Sequence, residues 1–350
     1  MKKIVFNGKP FLRGDKRGVY RYTYEILKAL DNYVKPGEVE ILIPNVEENL
    51  PCFKNIKFIR YGNSRFFKGW QYIFYQYYIL KNKALAVSTC PELSSFITKG
   101  IVTFHDMRIE RKKGLTKTIK DYIKNKLDLF INYLAIKRSV HILTVSNYIK
   151  NEFMSYYNIE ENKISIIYNS WEHLRKIVID EKQLENKYNK LMLNSFYFYI
   201  GGQEKNKNIK WILEMAKKNP EELFIIAGPT TNDIKNNYDL NNVQYLGFIS
   251  DEEAAFFMKH CKAFLFPSFY EGFGIPPLEA LYFGAKVICS NRACLPEIYK
   301  DYVVYFDPLN YNIDLNNLLE QKVNKSRKIF EYYSWDKSAK KLLSILDKYR

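Results

Sequence analysis

Short β-rich apolar runs alternate with helical spacing along almost the whole chain. This alternation constrains the fold more than any other feature. The first series covers residues 3–7, 39–44, 84–88, 101–104 and 141–145. After 163–168 the pattern restarts, with runs at 196–200, 223–227, 243–248, 263–266, 286–290 and 303–306. Helical stretches lie between them, such as 19–30, with apolar residues at 19, 22, 26 and 30. Strand, helix, strand in repetition means parallel sheets covered by helices. Two such series in 350 residues predict two doubly wound α/β domains, because single cores stop growing below this length. The polar stretch 169–194 carries no strand signal, so the expected division is 1–170 and 171–333. Residues 334–350 hold one amphipathic helix.

Composition narrows the setting. A hydrophobic content of 47% is enough for two substantial cores. No apolar run approaches the length of about 18 residues that a spanning helix needs. The N-terminal MKKIVFNGKPFLRG has too short an apolar stretch for a signal peptide and reads as a first strand. The five cysteines are scattered and form no C-x-x-C pair, which predicts reduced thiols in the cytoplasm and no zinc site. The net charge is 54 − 38 = +16. That favours anionic partners, whether phosphates, an acidic membrane surface or nucleic acid. A composition biased throughout towards Lys, Asn, Ile and Tyr accounts for the total equally well.

In doubly wound sheets, ligands sit outside the carboxyl ends of the strands. The stretch PSFYEGFGIPPLEALYFGAK, residues 267–286, follows one such strand. Pro276 and Pro277 stand where a helix would begin and Gly284 where it would end. Glu279 is then expected in the first turn. There it either caps free N–H groups or accepts hydrogen bonds from vicinal hydroxyls such as those of a ribose. Gly272 and Gly274 let backbone N–H groups approach an anion, and the helix dipole favours a phosphate. Glu271 could hold the hydroxyls of whatever hangs from that phosphate. A nucleotide joined through phosphates to a sugar would use all three features.

At these residues the chain resembles the retaining, nucleotide-sugar-dependent glycosyltransferases of family 4, whose signature is E-x7-E followed by a helix and whose fold is GT-B. Other segments carry the same resemblance: FHDM (104–107), TVSNYIKNEF (144–153), IIYNS (166–170), YIGGQEKNKNIKWILE (199–214), the stretch 246–290 almost throughout, and WDKSAKKLLSIL (335–346). It implies two Rossmann-like domains facing across a cleft. The first would bind acceptor, the second nucleotide sugar, and the last helix would cross back to the first.

The resemblance also implies roles. Lys207 matches the lysine that pairs with the donor diphosphate, in a loop holding Gly201 and Gly202. An arginine common near this site in the family is not found at the matching positions, Gly202 and Asn206; Lys205 could substitute. Glu279 matches the ribose-binding glutamate and Glu271 the one facing the transferred sugar. Gly272, Phe273 and Gly274 match backbone donors. His105 falls where a histidine approaches the donor sugar, while Asp106 could cap the following turn. Gly14 and Gly18 bracket a first-domain glycine loop, with Tyr20 where a small residue is common. His105, Lys207 and Glu271 are the implied catalytic set.

The implied reaction moves a hexose-type unit from a nucleoside diphosphate sugar to an acceptor hydroxyl with retained configuration. The leaving phosphate would help to deprotonate the acceptor. With no Asp-x-Asp motif, no metal is expected, and no cofactor beyond the co-substrate. Surface polysaccharide or lipopolysaccharide synthesis is the implied setting.

Residues 49–91 contain no Asp or Glu but seven Lys or Arg, with aromatics crowded in RFFKGWQYIFYQYY (65–78), and residues 108–138 hold ten more basic residues. Cations interleaved with aromatics suit an anionic membrane surface, so attachment to the inner face of the cell membrane and a glycan or lipid-linked acceptor are expected. A core of aromatics under a solvated lysine face is the plainer account. Nucleic-acid binding would use similar residues but does not explain E-x7-E, and no nucleic-acid partner is expected. An oxidoreductase would need G-x-G-x-x-G after a first strand, and the glycines do not fit. A non-catalytic homologue or a sugar-nucleotide epimerase remains as the alternative. An epimerase would convert donor without acceptor.

Overall fold

The computed structural model describes residues 2–12, 18–63, 65, 69–93, 99–108, 118–192, 195–229 and 238–350. The chain divides into two compact units. One comprises Met1–Asn169 with Ser334–Arg350, the other Ser170–Tyr333.

The first unit is built on a parallel sheet of β1 (Ile4–Asn7), β2 (Val39–Ile43), β3 (Lys57–Arg60), β4 (Leu85–Ser88), β5 (Gly100–Phe104), β6 (Ser139–Thr144) and β7 (Ile164–Ile166). Their order is β3-β2-β1-β4-β5-β6-β7. The inner strands β1, β2, β4 and β5 are buried along their whole length, as strands covered on both faces must be. β3 is not among the strands expected from sequence. Its KFIR has only two apolar residues, and an edge position asks for no more. The helix Val19–Leu30 buries Tyr22, Ile26, Leu27 and Leu30. It packs beside Trp335–Tyr349, which buries Trp335, Ala339, Leu342, Ile345 and Leu346. Tyr22 meets Trp335 edge-on at 5.8 Å, and Tyr33 Oη donates to Asp336. Ser334 caps this last helix through its hydroxyl.

The second unit holds β8 (Phe196–Ile200), β9 (Leu223–Ala227), β10 (Val243–Gly247), β11 (Ala263–Phe266), β12 (Val287–Ser290) and β13 (Val304–Phe306). Their parallel order is β10-β9-β8-β11-β12-β13. From β8 the chain winds outward through β9 to β10, then returns to β11 and winds the other way. β8 and β11 therefore flank the switch point of the sheet, where loops leaving the carboxyl ends part and open a crevice. The helix Ile209–Lys218 covers one face, with Trp211 lying 4.1 Å from the Phe306 ring centroid. The helix Asp251–His260 opens on a capping box between Ser250 and Glu253.

Candidate active site

Loops 201–208 and 267–274 leave the carboxyl ends of β8 and β11 side by side. The first begins with two glycines, over which neighbouring side chains lie. A Cβ on Gly201 would come within 2.6 Å of Tyr199 Oη, and one on Gly202 would collide with the Glu204 carboxylate. Tyr199 Oη donates to Gly202 O at 2.9 Å, and burial holds its phenol protonated. A single 3-10 turn, Lys205–Lys207, then presents Lys207.

Lys207 Nζ lies 2.7 Å from Glu271 Oε1, with side chains only 20% and 13% exposed. The same ammonium sits 5.8 Å from the Phe266 ring centroid. Asn206 explains how the two loops stay in register: its carbonyl accepts from Phe269 N at 2.7 Å, and its side chain donates to Tyr270 O at 3.1 Å.

The Gly-Phe-Gly turn is fixed from below. Tyr299 Oη donates to Gly274 O, and Phe273 packs edge-on against Tyr333 at 5.3 Å. Gly274 has φ +77°, and a Cβ there would lie 2.7 Å from Leu295 Cδ2, so only glycine fits. The helix that follows is Ile275–Tyr282, with Gly274 at its N-cap and no side-chain cap. It starts at Ile275, so Pro276 and Pro277 are its second and third residues and Glu279 its fifth. This corrects the expectation that Glu279 lies in the first turn, and it removes the capping role. Glu279 instead pairs with His173 Nε2 at 2.9 Å, the two side chains being 15% and 8% exposed.

His173 was not singled out by the sequence. It sits in a short 3-10 helix, Glu172–Lys176, inside the polar stretch read as a boundary. Trp171 and Ser170 anchor that stretch. Trp171 Nε1 donates to Phe330 O at 2.8 Å, and Ser170 Oγ to Tyr333 O at 2.7 Å.

The surrounding chemistry offers no thiol nucleophile. Cys289 and Cys294 are buried, and burial, then the nearby Glu271 charge, pushes both thiols well up. What the second unit assembles is one ammonium, two carboxylates, a glycine turn and a helix N-terminus. That set suits an anion bearing hydroxyl groups.

Gly201, Gly202, Lys207, Glu271, Gly272, Phe273, Gly274 and Glu279 all belong to this second unit. His105 and Gly18 belong to the first. His105 follows β5 and bonds Thr89 O through Nε2 at 2.8 Å. A carbonyl only accepts, so Nε2 carries the proton and Nδ1 remains an acceptor. Burial lowers its pKa, which keeps the ring neutral. Tyr22 stacks edge-on against it at 4.7 Å. Asp106 accepts from Arg108 N at 2.9 Å, as a turn cap does. Gly18, at φ 55°, is the N-cap of Val19–Leu30. Gly14 and residues 15–17 lie outside the described residues, as do Lys68 and Arg111, Lys112 and Lys113.

A family model described as glycosyl transferases group 1 matches residues 180–347. The chain is 25% identical over 336 residues to O-antigen chain mannosyltransferase B of Escherichia coli, covering 87% of each. Among solved structures it resembles sucrose-phosphate synthase from Thermosynechococcus elongatus, with a TM-score of 0.74 at 15% identity over 99% of both chains. It also resembles Anabaena HepE in complex with UDP-glucose, with a TM-score of 0.71 at 13% identity over 99% of this chain and 100% of that one. These likenesses show a GT-B architecture of two Rossmann-like domains.

Proposed function

We propose, from the match of residues 180–347 to the model of glycosyl transferases group 1, that the chain moves a hexose from a nucleoside diphosphate sugar to a hydroxyl of a cell-surface glycan or glycolipid. The observation that carries this reading is the Lys207–Glu271 pair beside the glycine turn at the β8–β11 switch point, with Glu279 in the helix that follows that turn. Mannose is the sugar we propose first, because a relative matched over most of its length is a mannosyltransferase of O-antigen chains.

In the proposed reaction Lys207 leaves Glu271 for the donor diphosphate, and the amides of 272–274 and the helix Ile275–Tyr282 meet the remaining charge. Glu271 turns to the sugar hydroxyls, and Glu279 takes the ribose. The bond from the anomeric carbon to the diphosphate oxygen breaks as the acceptor oxygen bonds the same face. The acceptor proton passes to the departing diphosphate. Configuration is retained, no metal is used, and the protein contributes positioning and charge stabilisation. His105, neutral and with Nδ1 able to accept, suits a sugar hydroxyl rather than a phosphate.

Incubation with UDP-glucose and with nucleoside diphosphate mannoses, each with and without a mannosyl-lipid acceptor, tests the reading. Transfer with the anomeric proton of the product in the donor's configuration by NMR supports it. Conversion of donor without acceptor would make the chain an epimerase. Inertness towards every donor would make it a non-catalytic homologue.

We also propose that the first unit works at an anionic membrane surface. No described helix is long and apolar enough to cross a membrane. The helix Ile119–Arg138 nevertheless exposes Ile119, Tyr122, Ile123, Leu127, Phe130 and Tyr133, each about half or more accessible. Lys126 and Lys137 lean over the Tyr122 and Tyr133 rings at 5.5 Å. Trp70–Lys81 exposes Ile73, Tyr77 and Leu80 in the same manner. Both helices join strands that progress in one direction across the sheet, and right-handed crossovers put such helices on one face. Apolar stripes edged with lysine on one face suit a monotopic contact. Flotation with vesicles rich in phosphatidylglycerol tests this; absence from the floated fraction at low salt would sink it.

A further inference from the structure

Each of the other described histidines outside the site has partners that explain its burial. His141 bonds Tyr349 Oη through Nδ1 at 3.2 Å and Ser165 Oγ through Nε2 at 2.9 Å. His260 bonds Glu181 at 2.9 Å but stays 28% exposed, so water reaches the ring. His173 differs. Only 8% of its side chain is accessible, and its single partner is Glu279. A carboxylate only accepts, so Nε2 carries the proton, which leaves Nδ1 as the other polar atom of the ring. That Nδ1 is buried with no hydrogen-bond partner. Leaving a polar atom in that state works against stability, and a ring kept for packing alone would be better replaced by an apolar one. The arrangement is explained if the ring is kept for what Nε2 does to Glu279.

Glu279 is the fifth residue of its helix, beyond the capping positions. A glutamate has three side-chain torsions, and ordering them costs rotamer entropy. A donor fixed on a different segment removes that freedom before ligand arrives. Residues 170–173 are themselves fixed: Ser170 and Trp171 are tied to the backbone of Tyr333 and Phe330, so the histidine is held by a rigid support.

We propose that His173 is a positioning residue for nucleotide recognition: its Nε2–H holds one oxygen of Glu279 so that the carboxylate meets the vicinal hydroxyls of the donor ribose in one orientation. This rests on the reading of Glu279 given above. The consequence is specific to sugar hydroxyls. Loss of the clamp blunts discrimination between ribose and deoxyribose, whereas a general packing defect weakens both alike.

Calorimetric titration of the full chain with UDP and 2′-deoxy-UDP, and with GDP and 2′-deoxy-GDP, tests it. Wild type, Glu279→Gln, His173→Gln and His173→Phe are compared, with His173→Leu in reserve should the phenylalanine not fold. Wild type is expected to favour the ribonucleotide by about 10-fold, the cost of leaving a buried acceptor unmet. His173→Phe and Glu279→Gln should lose most of that preference. His173→Gln, whose Nε2 can donate in place of the imidazole, should keep it. The double variant His173→Phe/Glu279→Gln should bind no more weakly than Glu279→Gln alone, since the two act through one carboxylate. A His173→Phe variant that keeps the ribose preference overturns the proposal, as does a His173→Gln variant that loses it. If Glu279→Gln keeps the preference, or wild type binds none of the four nucleotides, the donor-site reading fails first and this one with it.

Discussion

At the residue scale, the site rests on few groups, and each has a distinct predicted signature. Lys207 is the only described lysine that meets Glu271. Lys207→Gln should lower kcat/KM by about 100-fold while far-UV circular dichroism is unchanged, the size of effect seen when one charge-stabilising donor is lost. A smaller change in kcat/KM than tenfold would show that the diphosphate is met elsewhere. His141 gives a prediction about stability. Burial, and then the charge of Lys348, lowers its pKa to about 4, against an ordinary value of 6.5. The folded state therefore binds its proton less readily than the unfolded state. Stability contributed by the neutral ring is complete above pH 6.5 and is lost as pH falls from 6.5 towards 4, reaching roughly 2 kcal/mol by pH 5. His141→Gln should flatten this part of the pH profile in thermal melts; a profile as steep as wild type would contradict it. Glu271 and Glu279 stood out because the spacing of glycines, prolines and carboxylates has a chemical meaning on its own, whereas Lys207 was singled out by the family resemblance alone. His173 was not, because its meaning lies in a contact across 106 positions. Glu279's place in the helix was misjudged by one principle: proline suits the first turn, but not only its first position.

At the element scale, the alternation of apolar runs gave strand positions within a residue or two, and the helices Val19–Leu30 and Trp335–Tyr349 in full. β3 escaped because an edge strand with two apolar residues lacks the continuous run that buried parallel strands show. The turn at Gly274 is the element most sensitive to change. Gly274→Ala must adopt φ +77° and press on Leu295, so it should lower the stability of the second unit by about 1–3 kcal/mol and weaken nucleotide binding with it. Differential scanning calorimetry with and without UDP reads both, and an unshifted melting temperature would count against the turn geometry. For the helix Ile119–Arg138, paired Ile123→Asp and Leu127→Asp changes replace exposed apolar side chains with charges. They should abolish flotation with anionic vesicles and leave the melting temperature within about 4 °C, since surface changes rarely exceed ±0.5 kcal/mol each. A parallel loss of thermal stability would mean that the stripe packs on something within the protein.

At the scale of the whole molecule, the fold class was legible because two strand series of near-equal size leave few arrangements. The last helix shows what holds the first unit together. Removing residues 334–350 strips Val19–Leu30 of the helix packed beside it and loses the burial of Trp335, Leu342, Ile345 and Leu346. At about 2 kcal/mol per large side chain the loss is on the order of 8 kcal/mol, comparable with the whole stability of a domain. A chain ending at Tyr333 should therefore show a first unit that is protease-sensitive or unfolded while the second still binds nucleotide. An intact first unit in limited proteolysis would refute this. The same feature reverses the order of biosynthesis. The ribosome delivers Ser170–Tyr333 as one uninterrupted stretch, so that unit can complete its core during translation, whereas its neighbour must wait for residues 334–350. The part of the chain made first is the part finished last. Until that helix arrives, its apolar surface stays partly uncovered.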